Sequence, residues 1–397
     1  MRKIYSITIL TLITLIVFTI FILSTVGLET ERFNNFIGQK ISDQNENVNL
    51  KLEKIKFKFD ISKFDLFLGT NNPDLSYKNQ KIPIDSIKLY LDFISLIKSK
   101  PKINKVELIS KEIKVKQFKS ILKKIKPSTL NSLIINKVNK GVFIFNLELY
   151  FDSNLKIDNF IAKGGVKELN AIITKDLSIK ETNFNFFADK TDILIKNFKA
   201  QMNGVSIKEG NLQILKDQEI NLKSNFTTKI NLNKNNFSNY LSLTTKKDLI
   251  KNEINLNASV NNLLDITFDR TFKVKNYSYN SKGNIESLLI KPTRSIENSL
   301  LEKKIDNLYF KNADFDMTYN SDIKNSFSTS GNYSFDNQNY QKFEFKNDFT
   351  NKKNKILLNL DFFEKLNVEF LNYEKKKEKI ANINLSLIME NKIFNIK

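Results

Sequence analysis

Five serines stand three residues before a lysine: Ser95/Lys98, Ser99/Lys102, Ser120/Lys123, Ser153/Lys156 and Ser321/Lys324. At that spacing a lysine amine can take the proton of a serine nucleophile, and no histidine is needed. With 30 Ser and 59 Lys in 397 residues, random placement yields about as many such pairs. The S-D-N and K-T-G companions of that chemistry are missing. The chain has no His and no Cys, so imidazole catalysis, thiolate nucleophiles and His- or Cys-ligated metals are excluded. Walker A, G-x-G-x-x-G, H-E-x-x-H and calcium-loop patterns are absent. A carboxylate pair could act on a β scaffold. The acids here, however, mostly alternate with apolar residues, as solvated strand positions do. The expectation is a protein that is not an enzyme and binds no cofactor or metal.

The net charge is +20, and only Arg2, Arg32, Arg270 and Arg294 are arginines. Nucleic acid is read mainly through guanidinium forks, so no nucleic-acid partner is expected. A lysine-rich surface can be simply solvated, or it can favour anionic lipid or another polyanion. Composition leaves both readings open. Ten Gly and five Pro leave little material for phosphate-cradling loops.

Residues 4–28 carry no charge. As a helix they span about 37 Å, enough to cross a hydrocarbon core of about 30 Å. Arg2 and Lys3 precede the run, and Glu29 and Glu31 follow it. That asymmetry predicts a retained single-pass anchor with a cytoplasmic N-terminus. A cleaved signal peptide would have a shorter apolar core and a better cleavage site than Thr25-Val26-Gly27.

Behind the anchor, Phe33, Phe36, Ile37 and Ile41 share one face of a short predicted helix. The period then becomes two. Val48, Leu50 and Leu52 alternate, the pattern slips by one residue, and Ile55, Phe57, Phe59 and Ile61 resume it. Such a slip predicts a bulge or a strand break. Phe143, Phe145, Leu147, Leu149 and Phe151 form the longest stripe. Pairs such as Ile220/Leu222, Ile254/Leu256, Phe272/Val274, Phe343/Phe345 and Val368/Phe370 carry the grammar onward. Serial antiparallel hairpins are expected, about 20–25 strands, each dry on one face and wet on the other. Further helices are predicted near residues 91–99 and 116–126, and a short one over 295–308. Residues 373–380 read as a hairpin tip. The final INLSLIMENKIFNIK reads as an unfinished hairpin whose edge needs cover. One-faced strands in long series fit either stacked dry sandwiches or a curved sheet with an apolar trough. A trough makes sense when the cargo is hydrocarbon.

The order of segments is a basic-tipped anchor, ETERFNNFIGQKI, NLKLEKIKFKFDISKFDLFL, an N-P turn segment, and INKVELISKEIKVKQFKSILKKI. It resembles the start of the AsmA-like, TamB-related proteins of Gram-negative envelopes. The stretch from IAKGGVKELN to VSIKEGNLQI is similar to their repeating strand units. The resemblance covers residues 1 to about 235. It implies a mainly β protein: one transmembrane helix, then an elongated, curved antiparallel β-groove with a few short helices in the N-terminal third. The corresponding organisation is an anchor (1–28), a membrane-proximal α+β region (29–130) and a repeating β-groove (131–397). It further implies an inner-membrane protein with its bulk in the periplasm, conducting phospholipid toward the outer membrane in support of outer-membrane biogenesis. Phospholipid, the inner membrane and outer-membrane assembly proteins are the partners it implies. Ile55, Phe57, Phe59, Phe143, Phe145, Leu147, Leu149 and Phe151 are the expected groove lining, and Arg2 and Lys3 the anchor flank. The alternative is a non-catalytic envelope scaffold with dry cores that affects outer-membrane protein assembly or targeting.

Overall fold

The fold comes from a computed structural model. It describes residues 2–31, 34, 39, 46–52, 54–62, 65–92, 102–152, 156–241, 253–271, 273–297, 304–321, 325–350, 353–368, 372–377, 379–390 and 393–396. The protein is mainly β, 66% strand and 14% helical, and is built on one large antiparallel sheet. Four helices occur among the described residues: α1 (Arg2–Thr25), α2 (Val115–Leu122), α3 (Thr129–Lys137) and α4 (Lys234–Leu241). The strands are β1 (Leu28–Thr30), β2 (Val48–Lys51), β3 (Ile55–Asp60), β4 (Asp65–Asn71), β5 (Asp74–Tyr77), β6 (Gln80–Ile82), β7 (Ile84–Leu91), β8 (Ile103–Ser110), β9 (Ile113–Lys114), β10 (Val138–Phe151) and β11 (Ile157–Ile172). They continue as β12 (Ser178–Ala188), β13 (Asp192–Met202), β14 (Val205–Lys216), β15 (Ile220–Leu232), β16 (Glu253–Phe268), β17 (Val274–Lys291), β18 (Leu308–Asn320), β19 (Asn325–Ser334), β20 (Gln341–Phe349), β21 (Lys353–Phe362), β22 (Leu366–Val368), β23 (Tyr373–Lys375), β24 (Ala381–Glu390) and β25 (Ile393–Ile396).

Two compact units divide the chain: Met1–Leu169 with Asn185–Lys190, and Asn170–Phe184 with Thr191–Lys397. In the first unit the sheet order is β1, β3, β4, β7, β8, β10, every pairing antiparallel. In the second unit β13 to β21 neighbour one another in chain order, followed by β24 and β25. Serial hairpins arise because each alternating run ends in Asn-, Asp- or Lys-rich turns. Asn72, Lys78, Asn79, Asn203 and Asn337 take positive φ there.

Tyr5–Thr25 in α1 has a mean hydropathy of 2.7 and is exposed over most of its length, with Ile20, Ile22, Leu23 and Ser24 half-buried at its C-terminal end. It is long and apolar enough to cross a membrane, as an anchor or a signal sequence would be. Several of its hydroxyls are satisfied within the helix: Thr11, Thr14, Thr19 and Thr25 donate to the carbonyls four residues back at 2.7–2.9 Å, and Ser24 donates to Ile20. Unpaired, each would be costly in hydrocarbon. The helix closes at Gly27, whose φ of 74° suits a residue without Cβ and whose N–H donates to the Ile22 carbonyl at 2.9 Å. The next residue, Leu28, is already the register partner of Phe57.

The slip after Leu52 is a break between sheets. β2 pairs with β5, and β5 with β6, in a separate three-stranded sheet, while β3 belongs to the large one. The predicted helix carrying Phe33, Phe36, Ile37 and Ile41 lies outside the described residues, as does residue range 93–101. Phe272 and Phe370 lie outside them too. α2 forms at the expected segment, beginning at Val115 and ending at Leu122, ahead of residue 126. α3 and α4 were not expected. Each is short and rests on a local polar cap: Ser128 Oγ accepts from the Asn131 N–H at 3.1 Å, and Asn233 Oδ1 from the Asn236 N–H at 3.0 Å. Within 295–308, Ile296 and Ile305 form a β-bridge. Residues 373–375 are a strand, not a tip. β23 pairs with β22, and the buried Lys375 ammonium donates to the carbonyls of Glu364 at 2.9 Å and Phe363 at 3.0 Å.

Candidate functional site

The registers of the first unit line up apolar side chains across five strands. Phe57 of β3 faces Leu68, Leu68 faces Leu89, Leu89 faces Val106, and Val106 faces Leu149 of β10. One row along, Thr70, Ile87, Leu108 and Leu147 are partners in the same way. On the other side, Phe59 faces Leu66, which faces Leu91. Successive side chains of a strand alternate faces, so these rows occupy one face of the sheet. Each cross-strand apolar contact adds about 0.2–1 kcal/mol, and each fully buried Leu or Ile about 1.5–3 kcal/mol.

The three-stranded sheet and α2 cover part of this face. Leu50 of β2 is buried in the same cluster as Ile55, Leu68, Ile87, Leu89 and Leu91, with Leu75 of β5 and Ile82 of β6 packed on it. α2 contributes Ile121, and its Phe118 ring stacks on Phe143 with centroids 4.5 Å apart. Cover is incomplete. A pocket of about 760 Å³ remains between the sheets, walled by Val48, Leu50, Leu75, Ile82, Ile87, Leu89, Val106, Leu108, Ile121, Leu149 and Phe151. Ile125 and Ile157 also line it and are 43% and 59% exposed, so they stand at its opening. Its size is that of a site for an extended small molecule. Its walls offer dispersion contacts and almost no hydrogen bonds. The chemistry such a site can do is to hold hydrocarbon.

Of the residues singled out from sequence, Leu149 and Phe151 line this pocket directly. Ile55 is 2% exposed in the adjoining core, and Phe57 and Phe145 pack against that core. Phe59 and Leu147 hold their places in the rows. Phe143 pairs with Ile113 and lies beneath α2. Arg2 and Lys3 occupy the first turn of α1. Sequence reasoning missed the opposite wall (Val48, Leu50, Leu75, Ile82) and the central strands β7 and β8. Their period-two signal was present. The missing knowledge was which strands become neighbours.

The face opposite these rows in β4, β7, β8 and β10 is not a simple wet face. Glu107 is 6% exposed and accepts from Tyr90 Oη and Asn146 Nδ2, both at 3.0 Å, with Lys88 at 3.9 Å. Lys105 lies 4.1 Å from the Tyr90 ring centroid and 3.8 Å from the Glu148 carboxylate. Burial, followed by the Glu107 carboxylate, pushes the Tyr90 phenol well above its ordinary range. The rings of Phe67, Tyr90 and Tyr150 lie along the strands and shield these charges, so carboxylates expected in solvent are enclosed.

The second unit repeats the one-faced rows. Ile214, Leu222, Ile266 and Tyr277 are serial partners across β14 to β17, as are Phe345, Leu358 and Leu385 across β20, β21 and β24. A polar knot interrupts them. Asn262 is 4% exposed; its Nδ2 donates to Thr228 Oγ1 and the Phe226 carbonyl at 3.2 Å, and its Oδ1 accepts from Tyr279 at 2.7 Å and Ser281 at 3.2 Å.

Among the described residues, no group of three or more Asp or Glu could hold a metal ion. Ser120 Oγ donates to the Lys116 carbonyl at 3.1 Å, a helical back-bond. Ser321 Oγ donates to Asn276 and accepts from the Tyr277 N–H. The chain matches no family model, no curated protein and no solved structure.

Proposed function

We propose that this protein is an AsmA-like, membrane-anchored envelope protein that holds and passes phospholipid along the apolar face of its sheet. In this reading α1 stays in the inner membrane, the strands stand in the periplasm, and the flow of lipid serves outer-membrane biogenesis. The observation that carries it is the open apolar pocket of about 760 Å³ in the first unit. Each methylene moved from water onto such a wall gains about 0.8 kcal/mol. Rows of Leu, Ile and Phe at constant spacing keep that gain nearly level, so a chain can slide without a large barrier. No covalent step is required of the protein. Its contribution is a path, and the headgroup remains at the solvated rim.

The test uses the full chain reconstituted in lipid nanodiscs, with a photo-activatable residue at 89 or 149. Crosslinks to phospholipid at both positions, and few from an exposed position such as 167, are expected. Absence of lipid adducts at 89 and 149 would overturn the reading and favour a dry-cored scaffold acting in outer-membrane protein assembly.

A further inference from the structure

The lysines of the first unit fall into two populations. Those on the strands mostly have acidic partners: Lys56 with Glu29 at 3.5 Å, Lys81 with Asp74 at 2.9 Å, Lys105 with Glu148 at 3.8 Å and Lys140 with Glu168 at 2.7 Å. The segment from Lys111 to Lys126, which contains α2, carries seven lysines and one acid, Glu112. Among the described residues, none of those seven comes within ion-pair distance of a carboxylate. All but Lys119 are exposed.

This unpaired charge lies beside the apolar opening. Ile121 and Ile125 line the pocket; Lys124 and Lys126 flank Ile125 in the chain, and Lys123 lies two residues from each isoleucine. Lys156, among the described residues the one cation in the pocket lining, precedes the exposed Ile157. Like charges this close repel one another, and an anion relieves that repulsion where water and salt only screen it. A hydrocarbon wall with cations at its lip is complementary to a molecule with an apolar body and a negative head. A zwitterionic head brings its own ammonium among these lysines and gains less. Lysine suits the task as a point charge for phosphate, with a stem that can lie on the apolar wall.

We propose that the pocket takes an anionic glycerophospholipid, its acyl chains against Leu89, Val106 and Leu149 and its phosphate among Lys123, Lys124, Lys126 and Lys156. This rests on the lipid-holding reading above and adds the headgroup class that the site selects.

The test is native mass spectrometry of the full chain in neutral detergent, titrated with phosphatidylglycerol or phosphatidylcholine of identical acyl chains. Phosphatidylglycerol should bind about tenfold tighter, and raising salt to about 0.5 M should remove most of that advantage. Replacing the four lysines by Gln (K123Q, K124Q, K126Q, K156Q) should weaken phosphatidylglycerol far more than phosphatidylcholine and bring the two lipids to about equal affinity. Leu89→Trp, which fills the pocket, should weaken both lipids. A photo-activatable residue at 125 provides a second measurement that does not depend on that variant folding: it should crosslink acyl-labelled phosphatidylglycerol more than phosphatidylcholine. Equal binding of the two lipids overturns the headgroup inference and leaves the lipid reading standing. Binding of neither overturns the lipid reading itself. A phosphatidylglycerol preference without an acyl crosslink at 125 would assign the lysines to membrane-surface docking, and the pocket inference falls.

Discussion

Tyr150 donates its hydroxyl to the Glu148 carboxylate at 2.7 Å, two residues away on the same strand. Burial alone would raise the Glu148 carboxyl. The Tyr150 hydrogen bond and the Lys105 and Lys163 ammoniums outweigh it and hold the group below its ordinary range. Burial, and then the same hydrogen bond, pushes Tyr150 up to about 12. Glu148 therefore stabilises the fold above the ordinary carboxylate range, and that contribution is lost as pH falls through its lowered value. Tyr150 acts in the opposite limb. Its contribution is complete below pH 10.0, the ordinary value, and is lost as pH rises toward about 12. Melting temperatures of wild type and Tyr150→Phe should differ at neutral pH and converge at the alkaline end. Parallel curves throughout would contradict this.

Gly164 lies where β11 runs against β10. A Cβ there would stand 2.1 Å from the Ile144 carbonyl oxygen and 2.9 Å from the Phe145 Cα. Both are backbone atoms of the strand carrying the pocket wall, so neither can yield cheaply. Gly164→Ala should cost about 2–4 kcal/mol, beyond the usual range for an alanine on a strand. A melting temperature within a degree of wild type would rule this out.

Phe145→Asp should both destabilise the first unit and abolish lipid crosslinking at 149. Phe145 packs on the buried cluster, and an unpaired carboxylate there costs several kcal/mol, on the order of 3. The matched control is Lys167→Asp on the exposed surface of β11, expected within about 0.5 kcal/mol of wild type. Glu148 does not serve as that control, because its side chain is 12% exposed and held by three partners. Equal loss from both substitutions would argue against a special apolar face.

The proposed topology rests on α1 acting as a retained anchor. Alkaline phosphatase fused after residue 397 should be active, and a reporter that works only in the cytoplasm should be silent. The reverse pattern would place the strands on the other side of the membrane. Removing Arg2 and Lys3 should weaken the orientation without altering the fold of the strands, since side-chain charge at the flank acts on insertion.

The alternation of Phe143, Phe145, Leu147, Leu149 and Phe151 is legible without coordinates. The direction of a strand side chain is local geometry, and a period of two means one face. The same holds for the uncharged run of α1, whose length and polarity are properties of the chain itself. A period slip, as after Leu52, announces a local event. Whether the strand bulges or leaves for another sheet depends on partners distant in sequence, and here β2 goes to β5 and β3 to β4.

Tertiary structure alone decided what faces what. Phe57 and Leu149 share a row because three intervening strands bring them into one register, a relation no periodicity encodes. Glu107 and Glu148 read as solvated positions, yet rings from neighbouring strands enclose them. Asn262 falls in line with the apolar Val260, Leu264 and Ile266 of its strand, and only partners distant in sequence, Thr228, Tyr279 and Ser281, satisfy it. In each case the local pattern determines which way a side chain points. Burial, partners and an open pocket depend on what the rest of the chain puts in front of it.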